Sequence, residues 1–153
     1  MLIPIALSLA IGLLIPVHLS MNSRAGALAG SAPLANTVFW IVGLSVSLAV
    51  SLRGILRDGL GTLPAVPWPL WLAGGIGTLI SLGISVIIPR IGVANVTFLT
   101  IMGQMIASAI LSMMGVLGSP KEALSPQKLL GIAVMAAGVA LFMFAKAPAA
   151  PAS

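Results

Sequence analysis

The sequence predicts an all-α membrane protein, a bundle of five transmembrane helices, on three observations. Hydrophobic residues make up 59% of the 153, and mean hydropathy is +1.22. Charged residues make up 6%, against roughly 25% in soluble domains. The apolar residues fall into five runs, each long enough to cross a hydrocarbon core of ~30 Å. Seven basic and two acidic side chains cannot cover the surface of a soluble domain of this size. The net charge of +5 is spread singly along the chain. It fits loop ends meeting anionic lipid headgroups and not a nucleic-acid patch. With no cysteine, disulfides and thiolate metal sites are excluded.

Residues 1–146 read as one membrane domain. Its spans are expected near 2–21, 33–52, 70–88, 93–117 and 127–145, followed by a disordered Ala/Pro tail at 147–153. The first run lacks a basic leader and is too long for a signal peptide, so it is taken as a retained span. Pro4 sits where a missing N–H is harmless. Pro16 lies inside and is expected to kink the helix or break a hydrogen bond just before His18. The small, polar stretch 22–32 reads as a connection. The second span carries Gly43, Ser47 and Ser51, a small-residue ladder that lets another helix come close. Arg53 to Pro69 reads as the longest loop, with Trp68 and Trp71 placed as interfacial anchors for the third span. That span is rich in Gly, Ser and Thr, and a tight turn at Pro89-Arg-Ile-Gly92 follows it. In the fourth span Thr100, Gln104, Ser108 and Ser112 recur every four residues and form one polar stripe. Ser125-Pro126 has the chemistry of an N-cap and first helical residue for the fifth span.

Asp58 and Glu122 are the only carboxylates, and both fall in expected loops. Cation coupling through an intramembrane carboxylate is therefore excluded for this chain alone. No metal-ligand cluster, nucleophile–base arrangement or phosphate loop is present, so neither catalysis nor a cofactor is expected. What remains is uncharged hydrogen-bonding chemistry. His18 and Asn22, four apart, share a face of the first span. His18 either bonds a carbonyl freed by Pro16 or lines a site. Gln104 and Ser108 are either interhelical glue or ligands, and Trp40 is either packed core or a wall. A cavity lined by such groups suits a polar solute that is neutral or weakly charged. His18, Asn22, Trp40, Gln104 and Ser108 are the candidate substrate-binding residues, with the first and fourth helices lining the site.

An odd number of spans puts the termini on opposite sides. Loops on the N-terminal side carry Arg53, Arg57, Lys121 and Lys128; the other side carries Arg24, Arg90 and Lys146. Four against three is too even for the positive-inside rule to choose an orientation, which admits insertion both ways.

Gly12…His18…Asn22-Ser-Arg24, Trp40-Ile-Val-Gly43, Gly74-Gly75, Pro89-Arg-Ile-Gly92, Gly103-Gln104, Gly115-Val-Leu-Gly118 and Leu130-Gly-Ile-Ala…Ala137-Gly-Val139 stand in one order across the chain. In these residues, from 1 to about 145, it resembles the YdcZ-type small proteins of the drug/metabolite transporter (DMT) superfamily. The resemblance implies a bacterial inner-membrane protein that is half of a ten-helix inverted-repeat transporter. It implies pairing too, as an antiparallel homodimer or with a related small membrane subunit. Members of that family more often carry glutamine at the position of His18, and often aspartate at that of Ser112. The chain is more distantly similar to small multidrug resistance proteins but lacks their first-span glutamate. Export of a small polar solute is the leading expectation. The alternatives are a dual-topology small-ion channel and a non-transporting subunit of a larger membrane complex.

Overall fold

The computed structural model describes residues 2–61 and 63–145, so the tail expected at 147–153 lies outside the described residues. Five helices form: α1 (Leu2–Leu28), α2 (Ala32–Asp58), α3 (Leu72–Ile91), α4 (Val93–Met114) and α5 (Pro126–Phe144). All five are long and apolar enough to cross a membrane, and the described residues include no strand. The chain divides into two compact units, Met1–Val93 and Ala94–Ser153.

In the first unit α1, α2 and α3 each pack against the other two. The stretch 22–32 is not the connection the sequence suggested, because α1 continues to Leu28. Asn22 and Ser23 find partners on other helices, so they do not pull the backbone out of its helix. The stop comes at Gly30, whose φ of 64° is left-handed. The Gly30 N–H reaches the Ala27 carbonyl at 3.4 Å and the Ser31 N–H reaches that of Gly26 at 3.1 Å, which closes the helix end. Ser31 then starts α2 by accepting from the Leu34 N–H at 3.3 Å, with Pro33 in the first turn. So short a hairpin brings the helices together: a Cβ on Gly26 would stand 3.1 Å from the Ala32 Cα.

Helix α2 also outruns its expected end at 52, since Arg53 and Arg57 are good helix formers that can reach the headgroups. It stops at Gly59, φ 66°, with the cap N–H on the Ile55 carbonyl. Two 3₁₀ turns, Leu63–Ala65 and Trp68–Trp71, lead into α3. Trp68 and Trp71 are exposed there, as lipid anchors would be. The expected turn at Pro89 is instead the last turn of α3, and Gly92 alone takes the left-handed φ, 82°.

In the second unit α4 ends at Met114, short of the expected 117, because Gly115 takes φ 64°. The following loop turns back along α4, with the Glu122 N–H on the Ser112 carbonyl at 2.9 Å. Ser125 caps α5 as its sequence predicted, accepting from the Lys128 N–H at 3.3 Å. Phe98 of α4 and Phe142 of α5 meet with ring centroids 4.5 Å apart.

Large apolar side chains cover the outside of both units. Among the described residues of the first unit the buried side chains are Asn22, Ser23, Asn36, Ser81 and Ser85, with Ala35 the sole buried hydrophobe. This is the arrangement lipid favours: apolar groups gain nothing by leaving acyl chains, whereas polar groups must find one another. Hydroxyls on the exposed faces satisfy themselves. Thr37, Ser45, Ser51 and Thr78 each donate to the carbonyl four residues earlier, at 2.9–3.0 Å.

Candidate functional site

The buried centre of the first unit is one hydrogen-bonded network. Asn36 of α2 is its hub: the Asn36 Oδ1 accepts from the Ser81 hydroxyl at 2.7 Å and from the Asn22 Nδ2 at 3.1 Å. Asn22 Nδ2 also donates to the Ser85 Oγ at 2.9 Å, and the Ser85 hydroxyl donates to the Ser81 carbonyl at 2.8 Å. Trp40 extends the chain from its other end, its Nε1–H on the Ser81 Oγ at 3.1 Å. The indole edge lies against Gly77, where a Cβ would be 3.6 Å from Trp40.

Pro89 contributes by what it lacks. It has no N–H to give the carbonyl one turn back, that of Ser85. The Ser23 hydroxyl of α1 fills the gap at 3.0 Å. One atom of the network has no donor: the Asn22 Oδ1, which is buried.

Beside this network runs an open cleft of about 640 Å³, lined by α1 and α2. His18, Asn22, Phe39 and Trp40 line it among apolar side chains. His18 is exposed and stacks on Phe39, with centroids 5.7 Å apart and planes 20° from parallel. Phe39 in turn meets Trp40 edge-on at 5.4 Å. His18 is thus an aromatic wall of the cleft. Of the sequence-predicted residues, His18, Asn22 and Trp40 come together here.

Gln104 and Ser108 belong to a cleft of about 540 Å³ within the second unit. Ser112, Glu122, Lys128 and Gly131 line it too, so three members of the predicted polar stripe share one wall. Thr100 instead turns back on the Thr97 carbonyl at 2.9 Å. The Lys128 ammonium donates to the Glu122 carboxylate at the edge of this cleft. That hydrogen bond first, and the lysine charge second, hold the Glu122 carboxyl below the usual carboxylate range. A depressed folded-state pKa gives stability that is present above the unfolded value and lost as pH falls through the folded one. Both side chains are half-exposed, so the effect on stability is small. A carboxyl NMR titration should place Glu122 below an ordinary glutamate, and Lys128→Met should bring it back up. An unmoved midpoint in the variant would remove the pair.

Asn36, Ser81 and Ser85 were not candidates from sequence. A signal exists for the serines: Ser81 and Ser85 are four apart on a helix whose other residues are mostly Leu, Ile, Val and Gly. Asn36 stands near the start of α2, where it reads as a loop-side polar residue. Ser23 becomes meaningful only with Pro89, and sequence alone does not pair residues so far apart.

A polar network inside three apolar helices, next to a cleft, suits a membrane protein that handles a solute. Comparison with known proteins agrees. Residues 3–141 match the family model described as "Putative inner membrane exporter, YdcZ". No curated protein and no solved structure matches the chain. With the family model spanning nearly the whole chain over five apolar helices, the chain belongs to the YdcZ family of drug/metabolite transporters and is a multi-pass protein of the bacterial inner membrane.

Proposed function

We propose that the protein is a secondary exporter of a small polar solute, working as an antiparallel homodimer or paired with a related small membrane subunit. The observation that carries this reading is the buried network of Asn22, Asn36, Ser81 and Ser85, joined at its edge by the exposed Trp40, beside the cleft lined by His18 and Trp40. Fixed, uncharged hydrogen-bonding groups next to an apolar, aromatic surface are how a site selects a small solute. Gln104 and Ser108, on the cleft of the second unit, are the other proposed ligands. Pairing is supported by the even distribution of basic residues, and by Gly43, Ser47 and Ser51, which remain an exposed ladder on α2.

The test is solute flux. Proteoliposomes are mixed with a hyperosmotic panel of small amides, alcohols, amines and amino acids, and recovery from shrinkage is followed by light scattering. At least one solute class should enter faster than in protein-free vesicles. His18→Ala and Gln104→Ala should each slow that entry about tenfold, the effect of losing one good contact. Flux unchanged in both variants would sink the site assignment, and no flux for any class would sink the transport reading. Carrier-level turnover without single-channel currents is expected.

A further inference from the structure

We infer that the cleft floored by Asn22 takes an uncharged solute that donates a hydrogen bond and carries an apolar body. This names the substrate class of the proposed exporter and rests on that reading. The Asn22 Oδ1 is a buried acceptor with no donor. Turning the amide over does not cure it. The Asn22 oxygen would then face the Asn36 Oδ1, an acceptor, and the Ser85 Oγ, whose proton is given to the Ser81 carbonyl. The neighbours therefore fix the amide, and the orphan is the oxygen.

The donors around it are already committed. Trp40 gives its Nε1–H to Ser81, Ser23 its hydroxyl to the Ser85 carbonyl, and Asn36 its amide to the Thr78 carbonyl at 3.5 Å. Among the described residues the Asn22 Oδ1 is thus the buried side-chain polar atom left unmet, and it is an acceptor. An unmet buried acceptor is unfavourable, so a ligand that supplies the donor gains what the free protein lacks.

Charge is the second filter. No Asp, Glu, Lys or Arg lines the cleft. An ammonium entering it would shed water with no carboxylate to meet, and a carboxylate would meet no lysine or arginine. The walls set the third condition: the rings of His18, Phe39 and Trp40 and the aliphatic side chains of Met21, Leu34 and Val38 face an apolar body. A primary amide or alcohol on a hydrocarbon ring or short chain meets all three conditions.

Trp40 allows a direct test. In full-length protein carrying Trp68→Phe and Trp71→Phe, Trp40 is the only tryptophan. Its emission is followed in nanodiscs against four probes transparent at the excitation wavelength: cyclohexanecarboxamide, its N,N-dimethyl derivative, cyclohexanecarboxylate and cyclohexylammonium. The primary amide should shift the emission saturably. The dimethyl amide, with the same body and no donor, should bind at least about tenfold more weakly, the difference expected for one hydrogen bond. The two ions should bind more weakly still. Asn22→Leu, its helicity checked by circular dichroism, should reduce the preference for the primary amide to about one. Equal binding of the two amides, tighter binding of either ion, or no saturable shift with any probe would overturn the proposal. Flux of some other solute class without donor-selective binding would leave the exporter reading standing and remove this one. Donor-selective binding without flux would do the reverse.

Discussion

Asn36→Leu should lower stability by about 1–3 kcal/mol, the range for leaving buried partners unmatched; hydrogen bonds inside membranes fall toward its lower half. Leucine keeps the same branched skeleton of four side-chain atoms and is the larger residue, so the effect is not a cavity. It comes from two groups that lose their acceptor, the Ser81 hydroxyl and the Asn22 amide. Each keeps one alternative, Ser81 on the Thr78 carbonyl at 3.0 Å and Asn22 on the Ser85 Oγ. The measurement is an unfolding titration with denaturing detergent in mixed micelles, followed by circular dichroism. Ser45→Ala is the contrast: its hydroxyl bonds only the Ile41 carbonyl of its own helix, on an exposed face. It should leave the midpoint where it was. If Asn36→Leu moved the midpoint no more than Ser45→Ala, Asn36 would not be a hub.

Gly26→Leu should be at least as damaging, by a different route. The first added atom would stand 3.1 Å from the Ala32 Cα and 3.4 Å from its Cβ. Ala32 opens α2 immediately after the hairpin, so the obstacle includes backbone, which cannot swing aside as a long side chain can. Overpacking of this kind costs about 1–3 kcal/mol. It would also separate α1 from α2 at the end where Asn22 meets Asn36. A Cβ on Gly12 of the same helix would meet nothing within 4 Å, so Gly12→Leu should be close to neutral in the same titration. Equal midpoints for the two variants would show that the hairpin is not tightly packed at Gly26.

Hydropathy revealed the five helices because crossing a membrane demands long apolar runs, and nothing else in this chain competes with that signal. The helix ends were less legible. Asn22, Ser23, Arg53 and Arg57 look like loop residues, yet all four are helical. The first pair is held by α3 and α2, and the arginines belong to helix that exceeds the hydrocarbon thickness: 27 residues at about 1.5 Å each reach about 40 Å. Pro89 was read as a turn for the same reason, although the last turn of a helix tolerates it once its orphaned carbonyl has a partner. The candidate site was half legible. His18, Asn22 and Trp40 stand out because an imidazole, an amide and an indole are rare in such sequence. The serines that complete the network do not, since serine is equally at home bonding its own helix.

The bond from Ser23 to the Ser85 carbonyl bears on how the chain is made. Ribosomes deliver α1 first. A newly inserted α3 carries a carbonyl that its own backbone cannot satisfy, and hydrocarbon offers no water in exchange. Helix α1, already resident, holds the hydroxyl that satisfies it. Lateral docking of the third helix onto the first is thus favoured from the moment of insertion, and the proline that weakens α3 alone directs it to its neighbour.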